Sequence, residues 1–395
     1  MCSKEKQLAK MPAKKLTAVF VFLSVASLLA PGLAAQDAPL SPGSVNFNLP
    51  ANSPLELKSV TMSDSHTTAR GAALMLDLHM SLTLRNGSQN RIHGVTLRVV
   101  SQEVTIGGKG WVTYPSLNVG PGEAFPVRID MQLMRPSQIT TGTLVQVDLD
   151  GVLFQDLSFF GPDRLNSRRT MTASEMEAQR DRDHFKRVLA QSGKSGLQRE
   201  ILESIVRQSE FSQLVVTVKR AGRAVTSAAV SPEHTAEFAF LQFPDSPVAP
   251  VEGWAQLAGN EARAPHINVR NNSGKPVKYV EMGWVVSDQS GRQYMAASVP
   301  SAEPTLNLPP GKTARLDQDT SLSFTSKGQP VNVQKMMGFV NQVEFADGRV
   351  WVPNRQNLDN AILQKVLPPS AEEQRLTELY RKRGIETLVQ ELAKF

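Results

Sequence analysis

The stretch NNSGKPVKYVEMGWVVSDQSGR, residues 271–292, has a fainter counterpart in NGSQNRIHGVTLRVVS, residues 86–101. In both, a turn rich in Asn, Gly and Ser precedes apolar residues at every second position. Alternation with that period is typical of a half-buried β-strand, because successive side chains point to opposite faces of the sheet. The turn residues tolerate the left-handed backbone that a tight hairpin requires. The two stretches therefore predict the same turn-and-strand unit twice in one chain.

The likeness continues downstream of each stretch. LNVGPG at 117–122 matches LNLPPG at 306–311, where a short strand ends in a Pro-Gly turn. VDLDG at 147–151 matches VEFADG at 343–348, where a strand enters an Asp-Gly hairpin. Short strands between turn signals, without alternating helices, favour antiparallel sheets. We therefore predict a mainly β fold of two related antiparallel β-sandwich domains, each followed by an α-helical segment.

The helical segments repeat as well. FKR at 185–187 resembles YRK at 380–382, and a glycine, Gly193 or Gly384, interrupts each segment. A Ser three residues before a Glu predicts a capping box at the start of each helix. The two pairs are Ser174 with Glu177 and Ser370 with Glu373.

These patterns divide the chain into consecutive regions. We predict a signal peptide at 1–35, a disordered N-terminal linker at 36–52, a first β-sandwich at 53–165, a helical connector at 170–208, a second β-sandwich at 210–355 with a Pro-rich connector at 244–250, and a C-terminal helical tail at 356–395.

The first thirty-five residues have the order of a secretory signal peptide. Lysines precede an uncharged apolar run at 16–30, and small residues follow at 33–35. The run is shorter than the ~20 residues that span a bilayer comfortably. We therefore expect an exported protein, periplasmic or extracellular, without a membrane span after cleavage. Retention of the segment as an anchor and a translation start at Met11 are the alternatives.

Charge and cysteine content restrict the classes of function. The net charge of +6 includes +4 from residues 1–35, which leaves +2 for the exported part. Nucleic-acid binding needs a clustered basic surface, so we expect no nucleic-acid partner. The single cysteine, Cys2, precedes the predicted cleavage point, so we expect neither disulfides nor thiolate chemistry afterwards.

The candidate reactive residues do not form a catalytic pattern. The six histidines have no metal-ligand spacing, and Asp319-Thr320-Ser321 lacks the apolar residues that precede a protease aspartate. The mixed-charge stretch 175–187 is interpreted as a solvated helix face, with a docking surface as the alternative. We therefore predict no catalytic, cofactor-binding or metal-binding residues. The histidines are His66, His79, His93, His184, His234 and His266.

Residues 271–292 resemble the immunoglobulin-like domains of exported bacterial proteins, particularly the short domains named for an FxLYD motif. The shared features are Asn-Ser-Gly, a Lys-Pro turn, an alternating strand and Asp-x-x-Gly. The resemblance implies two immunoglobulin-like sandwiches with a binding or scaffolding role and no assigned chemistry. It also implies that Trp284 is a core residue.

The leading functional hypothesis is a non-enzymatic exported protein that presents its two sandwiches to another protein or an envelope component. One alternative is a carbohydrate-binding accessory protein that uses exposed aromatic residues. Another is a periplasmic chaperone-like strand donor. The aromatic candidates are Trp111, Trp254, Tyr279 and Trp351.

Overall fold

The computed structural model describes residues 37–138, 143–210, 213–220, 233–300, 306–317 and 320–395. The predicted signal peptide lies outside these residues. Strands dominate the described chain, and they form two β-sandwiches that are each followed by helices. The predicted mainly β fold is therefore confirmed.

The first sandwich contains ten strands. They are β1 (Asp37–Pro39), β2 (Val45–Asn48), β3 (Leu55–Met62), β4 (His66–Arg70), β5 (Ala73–Asn86), β6 (Ile92–Val100), β7 (Lys109–Tyr114), β8 (Ala124–Pro136), β9 (Val145–Phe154) and β10 (Phe159–Phe160).

The long strand β5 and the central strand β9 organise the two sheets of this sandwich. In the first sheet β5 pairs on one edge with β3 and β4 and on the other edge with β8. Strand β1 extends this sheet by pairing with β4. In the second sheet β9 lies between β6 and the edge strands β2 and β10. Strand β7 pairs with the other edge of β6. All pairs are antiparallel except that of β2 with β9.

The prediction of a disordered linker at 36–52 is wrong. This segment supplies β1 and β2, with a 3₁₀ turn at Pro42–Ser44 between them. Leu40 and Val45 are buried in the core of the first sandwich, and β2 pairs with β9. Burial of these two side chains and pairing of the backbone order the segment despite its polar and Pro-rich composition.

The second sandwich contains the remaining strands. They are β11 (Gln213–Arg220), β12 (His234–Glu237), β13 (Ala239–Phe240), β14 (Val248–Ala258), β15 (Glu261–Asn271), β16 (Val277–Asp288), β17 (Gln293–Pro300), β18 (Thr313–Asp317), β19 (Thr320–Ser326), β20 (Gln329–Pro330), β21 (Val333–Phe345) and β22 (Val350–Trp351).

The strand pairs of the second sandwich follow those of the first. The antiparallel pairs β14–β15, β16–β17 and β16–β21 correspond to β3–β5, β6–β7 and β6–β9. Strands β18 and β19 together take the place of β8 beside β15, and β13 runs parallel to β21 as β2 does to β9. Trp284 is buried in the core, as expected. The predicted Pro-rich connector ends early, because β14 begins at Val248.

A fully buried asparagine holds the turn that opens the repeated unit. In the first sandwich the Asn86 side-chain amide donates to the carbonyls of Asn90 (2.9 Å) and Val119 (3.1 Å). Its oxygen accepts from the backbone N–H (3.0 Å) and the hydroxyl (2.7 Å) of Ser88. One side chain thus links the turn to the distant strand segment before β8.

The second sandwich repeats this arrangement atom by atom. The Asn271 amide donates to the carbonyls of Lys275 (2.8 Å) and Leu308 (2.9 Å). Its oxygen accepts from the backbone N–H (2.9 Å) and the hydroxyl (2.7 Å) of Ser273. The internal likeness seen in the sequence is therefore also a likeness of hydrogen bonding.

Four helices accompany the sandwiches. They are α1 (Ser167–Glu210), α2 (Arg355–Leu358), α3 (Leu363–Val366) and α4 (Ala371–Leu392). The longer two are broken by one glycine each, Gly193 in α1 (φ 66°) and Gly384 in α4 (φ 77°). This left-handed conformation is open to glycine at little cost, so each glycine divides its helix into two arms.

Each broken helix is a hairpin. His184 Nε2 lies 3.1 Å from Glu200 Oε1, and Arg375 Nη1 lies 2.7 Å from Glu391 Oε1. Both pairs join residues sixteen apart. A straight helix would separate such residues by about 24 Å, so the second arm must fold back on the first.

The two hairpins pack against each other through a shared apolar core. Phe185, Leu197 and Ile201 come from α1, and Leu376, Leu388 and Leu392 come from α4. Counted from the two glycines, these residues occupy the same three positions in each hairpin. The sequence match of 185–187 with 380–382 is therefore out of register by about one helical turn.

The predicted capping boxes are only partly correct. Because α1 begins at Ser167, Ser174 lies inside the helix and cannot cap it. Ser370 does cap α4, since its hydroxyl accepts from the N–H of Glu373 at 3.0 Å. The Glu373 carboxylate does not complete the box; it accepts from Ser204 of α1 instead.

The first arm of α1 lies between the two sandwiches. Met171 packs so closely on the first that a methyl group at Gly94 would approach its sulfur to 2.7 Å. On the other side, the Arg169 guanidinium lies 3.7 Å from the centre of the Tyr279 ring. Arg180 donates to the carbonyl of Pro353 (3.0 Å). The arm therefore connects both sandwiches to the helical hairpins.

Candidate functional site

The second sandwich is closed along one side by β11. Here a seam means the gap between the outer strands of the two sheets, β17 and β19 in this sandwich. β11 pairs parallel with β17 at Gln213–Leu214 and then antiparallel with β19 along Val215–Arg220. Because β11 bonds to both sheets, it fills the seam with a continuous backbone ladder.

The first sandwich has the same seam without such a strand. Its outer strands are β7 and β8, and among the described residues β7 pairs only with β6 and β8 only with β5. Two hydrogen-bonded contacts within this part of the chain bridge the gap. The Tyr114 hydroxyl donates to the Arg128 carbonyl (2.8 Å) and accepts from its N–H (2.7 Å), and the N–H of Met134 donates to the Gly107 carbonyl (2.8 Å).

Backbone groups lie open between these two contacts. The backbone groups of Arg128 and Met134 form their hydrogen bonds on the side of β8 that faces away from β5. Along an antiparallel strand the backbone N–H and C=O groups point to opposite sides from one residue to the next. Asp130 and Gln132 therefore direct their N–H and C=O groups into the seam. Within the described residues neither forms a further backbone–backbone hydrogen bond, and both side chains are exposed.

Exposed apolar side chains stand next to the open seam. Val104 and Ile106, in the loop before β7, are 87% and 92% exposed, and Trp111 on β7 is 61% exposed. Apolar area of this kind on an edge strand and its adjoining loop is a marker of an interaction site. We name the open edges of β7 and β8, with the loop at 101–108, the β7/β8 seam.

Charges flank the β7/β8 seam and oppose indiscriminate strand pairing. Lys109 begins β7, and its Nζ lies 3.5 Å from Glu103 Oε2. A hydrogen bond from Arg98 lowers the pKa of the exposed Glu103, so this carboxylate is ionised at neutral pH. Charged residues at an edge hinder aggregation between identical edges.

A buried ion network joins the first sandwich to both hairpins. Arg182 of α1 lies 2.5 Å from Glu175 and 3.4 Å from Glu372 of α4. Arg375 binds Glu372 through two nitrogens at 2.8 Å each. His93 of β6 reaches this network, with Nδ1 3.0 Å from Glu175 Oε1. Pairing offsets the large cost of burying these charges.

The interpretation of 175–187 as a solvated helix face is wrong. Glu175, Asp181, Arg182 and Phe185 are all buried. The partners that compensate these charges, such as Glu372, lie far away in the sequence. A charged helix face can therefore be an internal contact when partners from other elements neutralise it.

The histidines lie apart and have different partners. His79 Nδ1 bonds to Asp130 (3.0 Å), which raises the pKa of His79. His184 pairs with Glu200 and lowers the pKa of that carboxyl. His66 Nδ1 lies 2.9 Å from the backbone oxygen of Asp64. The remaining His234, His266 and His93 lie on β12, β15 and β6.

The aromatic candidates do not share one set of contacts. Trp254 packs against His266 with ring centres 4.2 Å apart and the rings tilted by 46°, and Trp351 packs near Phe243. Tyr279 is buried beneath Arg169, whereas Trp111 is exposed on β7. Only Trp111 belongs to the β7/β8 seam.

The described ranges contain no group of three or more His, Cys, Asp or Glu residues arranged to hold a metal ion. No helix there has the length and apolar character needed to cross a bilayer. The Asp-Thr-Ser triplet at 319–321 lies partly outside the described residues.

The chain matches no family model and no curated protein. Among solved structures, the ApaA protein from Bordetella pertussis is 13% identical, with a TM-score of 0.17, over 36% of this chain and 86% of that one. Red sea bream transglutaminase is 7% identical, with a TM-score of 0.12, over 76% of this chain and 31% of that one. TM-scores this low establish neither a shared fold nor a shared function.

Proposed function

We propose that this chain is an exported, non-enzymatic protein that binds an extended segment of another protein in the β7/β8 seam. One observation carries the proposal. Corresponding strands flank both seams, and in the second sandwich a strand, β11, fills the gap. Addition of a strand to an open sheet edge is a common mode of peptide recognition, in which backbone hydrogen bonds supply affinity.

The chemistry of the partner follows from β11. Leu214 is buried and Val216 is half-buried, whereas Val215 between them is 51% exposed. This alternation, which ends at the exposed Val218, is what a strand needs when one face packs on a core and the other faces solvent. The partner segment is therefore extended, with apolar residues at alternate positions.

The apolar loop beside the seam extends the contact. Val104, Ile106 and Trp111 lose exposed surface when a segment lies along β7, and exposed aromatic residues are frequent anchors in interfaces. The signal peptide predicted at 1–35 supports a partner in the periplasm or outside the cell. Such a partner is an exported protein or a protein component of the envelope.

A peptide with the sequence of β11, QLVVTVKR, is the direct probe. It carries a fluorescent label and is titrated with the full chain, and anisotropy reports binding. Gln132→Pro removes an outward N–H without touching the ladder to β5, so it should weaken binding about tenfold or more. Gln132→Ala keeps that N–H and should bind within about twofold of the unchanged chain.

Two results would contradict the proposal. One is the absence of peptide binding to the unchanged chain. The other is equal binding by the Pro and Ala variants at position 132. Circular dichroism of both variants establishes that the sandwich is intact before binding is compared.

A further inference from the structure

A second feature, independent of the β7/β8 seam, is a polar cleft of about 230 Å³ between the first sandwich and the hairpins. The sandwich contributes His93, Asn118 and Gln155, and the first arm of α1 contributes one helical face. Lys394 and Phe395 close the cleft. The α1 residues are Gln179, Arg182, Asp183 and Lys186.

A β-bulge directs His93 toward this cleft. Ile92 pairs with Phe154 and Gly94 with Leu153, so His93 is the extra residue of β6. Bulges of this kind turn a side chain away from its regular direction. The result is an imidazole that is 3% exposed and that borders the cleft beside α1.

The ring nitrogens of His93 have no hydrogen bond within the described residues. Nδ1 lies 3.0 Å from Glu175 Oε1, but the geometry of this contact does not satisfy a hydrogen bond. An unsatisfied buried polar group is costly and calls for a partner. A ligand in the cleft is one means of supplying it.

The second sandwich shows how the equivalent position is satisfied internally. The residue of the second sandwich that corresponds to His93 is Lys278. It is likewise the extra residue of a β-bulge, between Val277 and Tyr279. The Lys278 ammonium lies 2.8 Å from Glu344, a residue of the same sandwich. Within its described residues the first sandwich provides no comparable bond to His93, so the cleft distinguishes the two copies.

Hydrogen-bond donors on the lining suit an anion. Arg182 and Lys394 are already paired, with Glu175 (2.5 Å) and Glu391 (2.8 Å), so Lys186 is the cation of the described lining that remains for a ligand. Asp183 is the carboxylate side chain among the lining residues. Amide groups add neutral donors, because the Asn118 oxygen is occupied by Arg91 (2.7 Å) and its NH₂ group remains for a ligand.

We propose that this cleft binds a small oxyanion, a phosphate or a carboxylate. His93 and Lys186 donate to the oxyanion from opposite walls, with Asn118 as a further donor. Charge-assisted hydrogen bonds of this kind are the strong ones in protein sites. The proposal stands whether or not the β7/β8 seam binds a strand, since no residue is shared between the two sites.

The test is calorimetric titration of the full chain with inorganic phosphate and, separately, with acetate. Sodium chloride at matched ionic strength is the reference for nonspecific screening. Lys186→Gln should weaken oxyanion binding about tenfold. Arg187→Gln removes the same charge from the exposed neighbouring position and should change binding less than about twofold.

His93→Gln is a second variant that tests the oxyanion site. It should also weaken binding, because it removes the imidazole from the site, and thermal unfolding of the free variant separates this effect from loss of structure. Binding of phosphate or acetate alone identifies which class of oxyanion is preferred. Equal loss in the Lys186 and Arg187 variants, or no binding of either anion, would overturn the proposal.

Discussion

The two sandwiches hold their repeated turn with the same buried asparagine but close their sheets differently. Asn86 and Asn271 form matching sets of four side-chain hydrogen bonds. In contrast, β11 fills the seam of the second sandwich, while among the described residues two isolated hydrogen-bonded contacts bridge the β7/β8 seam. The comparison separates residues that maintain the fold from an edge that is left open.

The links between the two hairpins also differ in environment. Arg182 and Glu372 connect the hairpins in the buried network, whereas Lys194 and Glu386 connect them on the surface at 2.6 Å. Both pairs join one copy of the repeated unit to the other. They therefore form a matched test of how the copies are held together.

The largest expected effect is that of Arg182→Met. The substitution keeps much of the side-chain volume but leaves the buried Glu175 without its guanidinium partner and removes one of the two guanidinium groups that bind Glu372. It should lower the free energy of unfolding by about 3–5 kcal/mol, measured by urea denaturation. The exposed control Lys194→Met should cost less than about 1 kcal/mol. Similar losses for both would show that the buried network does not hold the copies together.

The next largest effect is the loss of stability when the buried asparagine of either sandwich is replaced. Asn86→Ala and Asn271→Ala each leave several buried backbone groups unpaired, so each should cost about 2–4 kcal/mol. The two losses should agree within about 1 kcal/mol, since the hydrogen bonds correspond. Asn272→Ala, at the exposed neighbouring position, should change stability by less than about 0.5 kcal/mol. A large loss in only one sandwich would contradict equivalent anchoring.

The smallest effect concerns Glu177, where α1 approaches the second sandwich. Burial raises the pKa of Glu177; the Arg180 guanidinium opposes this, and the carboxylates of Asp181 and Glu281 add to it. The folded state therefore holds this proton more tightly than the unfolded state. The penalty of the ionised group is absent below the unfolded pKa, grows as pH rises, and is complete above the folded pKa.

Glu177→Gln should therefore raise the free energy of unfolding at neutral pH. The increase should be smaller than the decreases expected for the Arg182 and asparagine variants. The gain should disappear as pH falls below the unfolded value of about 4.3. Urea denaturation across this pH range measures it, with the exposed Glu378→Gln as control. A gain that stays constant with pH would show that ionisation of Glu177 is not its cause.

The strands and their duplication could be predicted because the information is local. Alternating apolar residues after an Asn-rich turn mark β6 and β16, and the structure places both in corresponding pairs. The hairpins were harder to predict, because a helix that reverses at Gly193 or Gly384 keeps a helical pattern on both sides. The reversal is visible only from contacts such as His184 with Glu200.

The candidate sites could not be predicted, since they depend on distant parts of the chain. The β7/β8 seam is open because β11 lies on the other sandwich, and no local pattern in β7 indicates this. The charged stretch 175–187 has the composition of a surface, and only the position of Glu372 explains its burial. Exposed Val104 and Ile106 were the one local signal, and an apolar loop alone does not identify a seam.

Residue-resolved amide hydrogen exchange of the two seams tests the central claim most directly. In the free protein the amides of Asp130 and Gln132 on β8 should exchange rapidly, while the β19 amides bonded to β11 should be protected. Addition of the QLVVTVKR peptide should then protect Asp130 and Gln132. Protection of these two amides in the free protein, or no change with saturating peptide, would contradict the open seam.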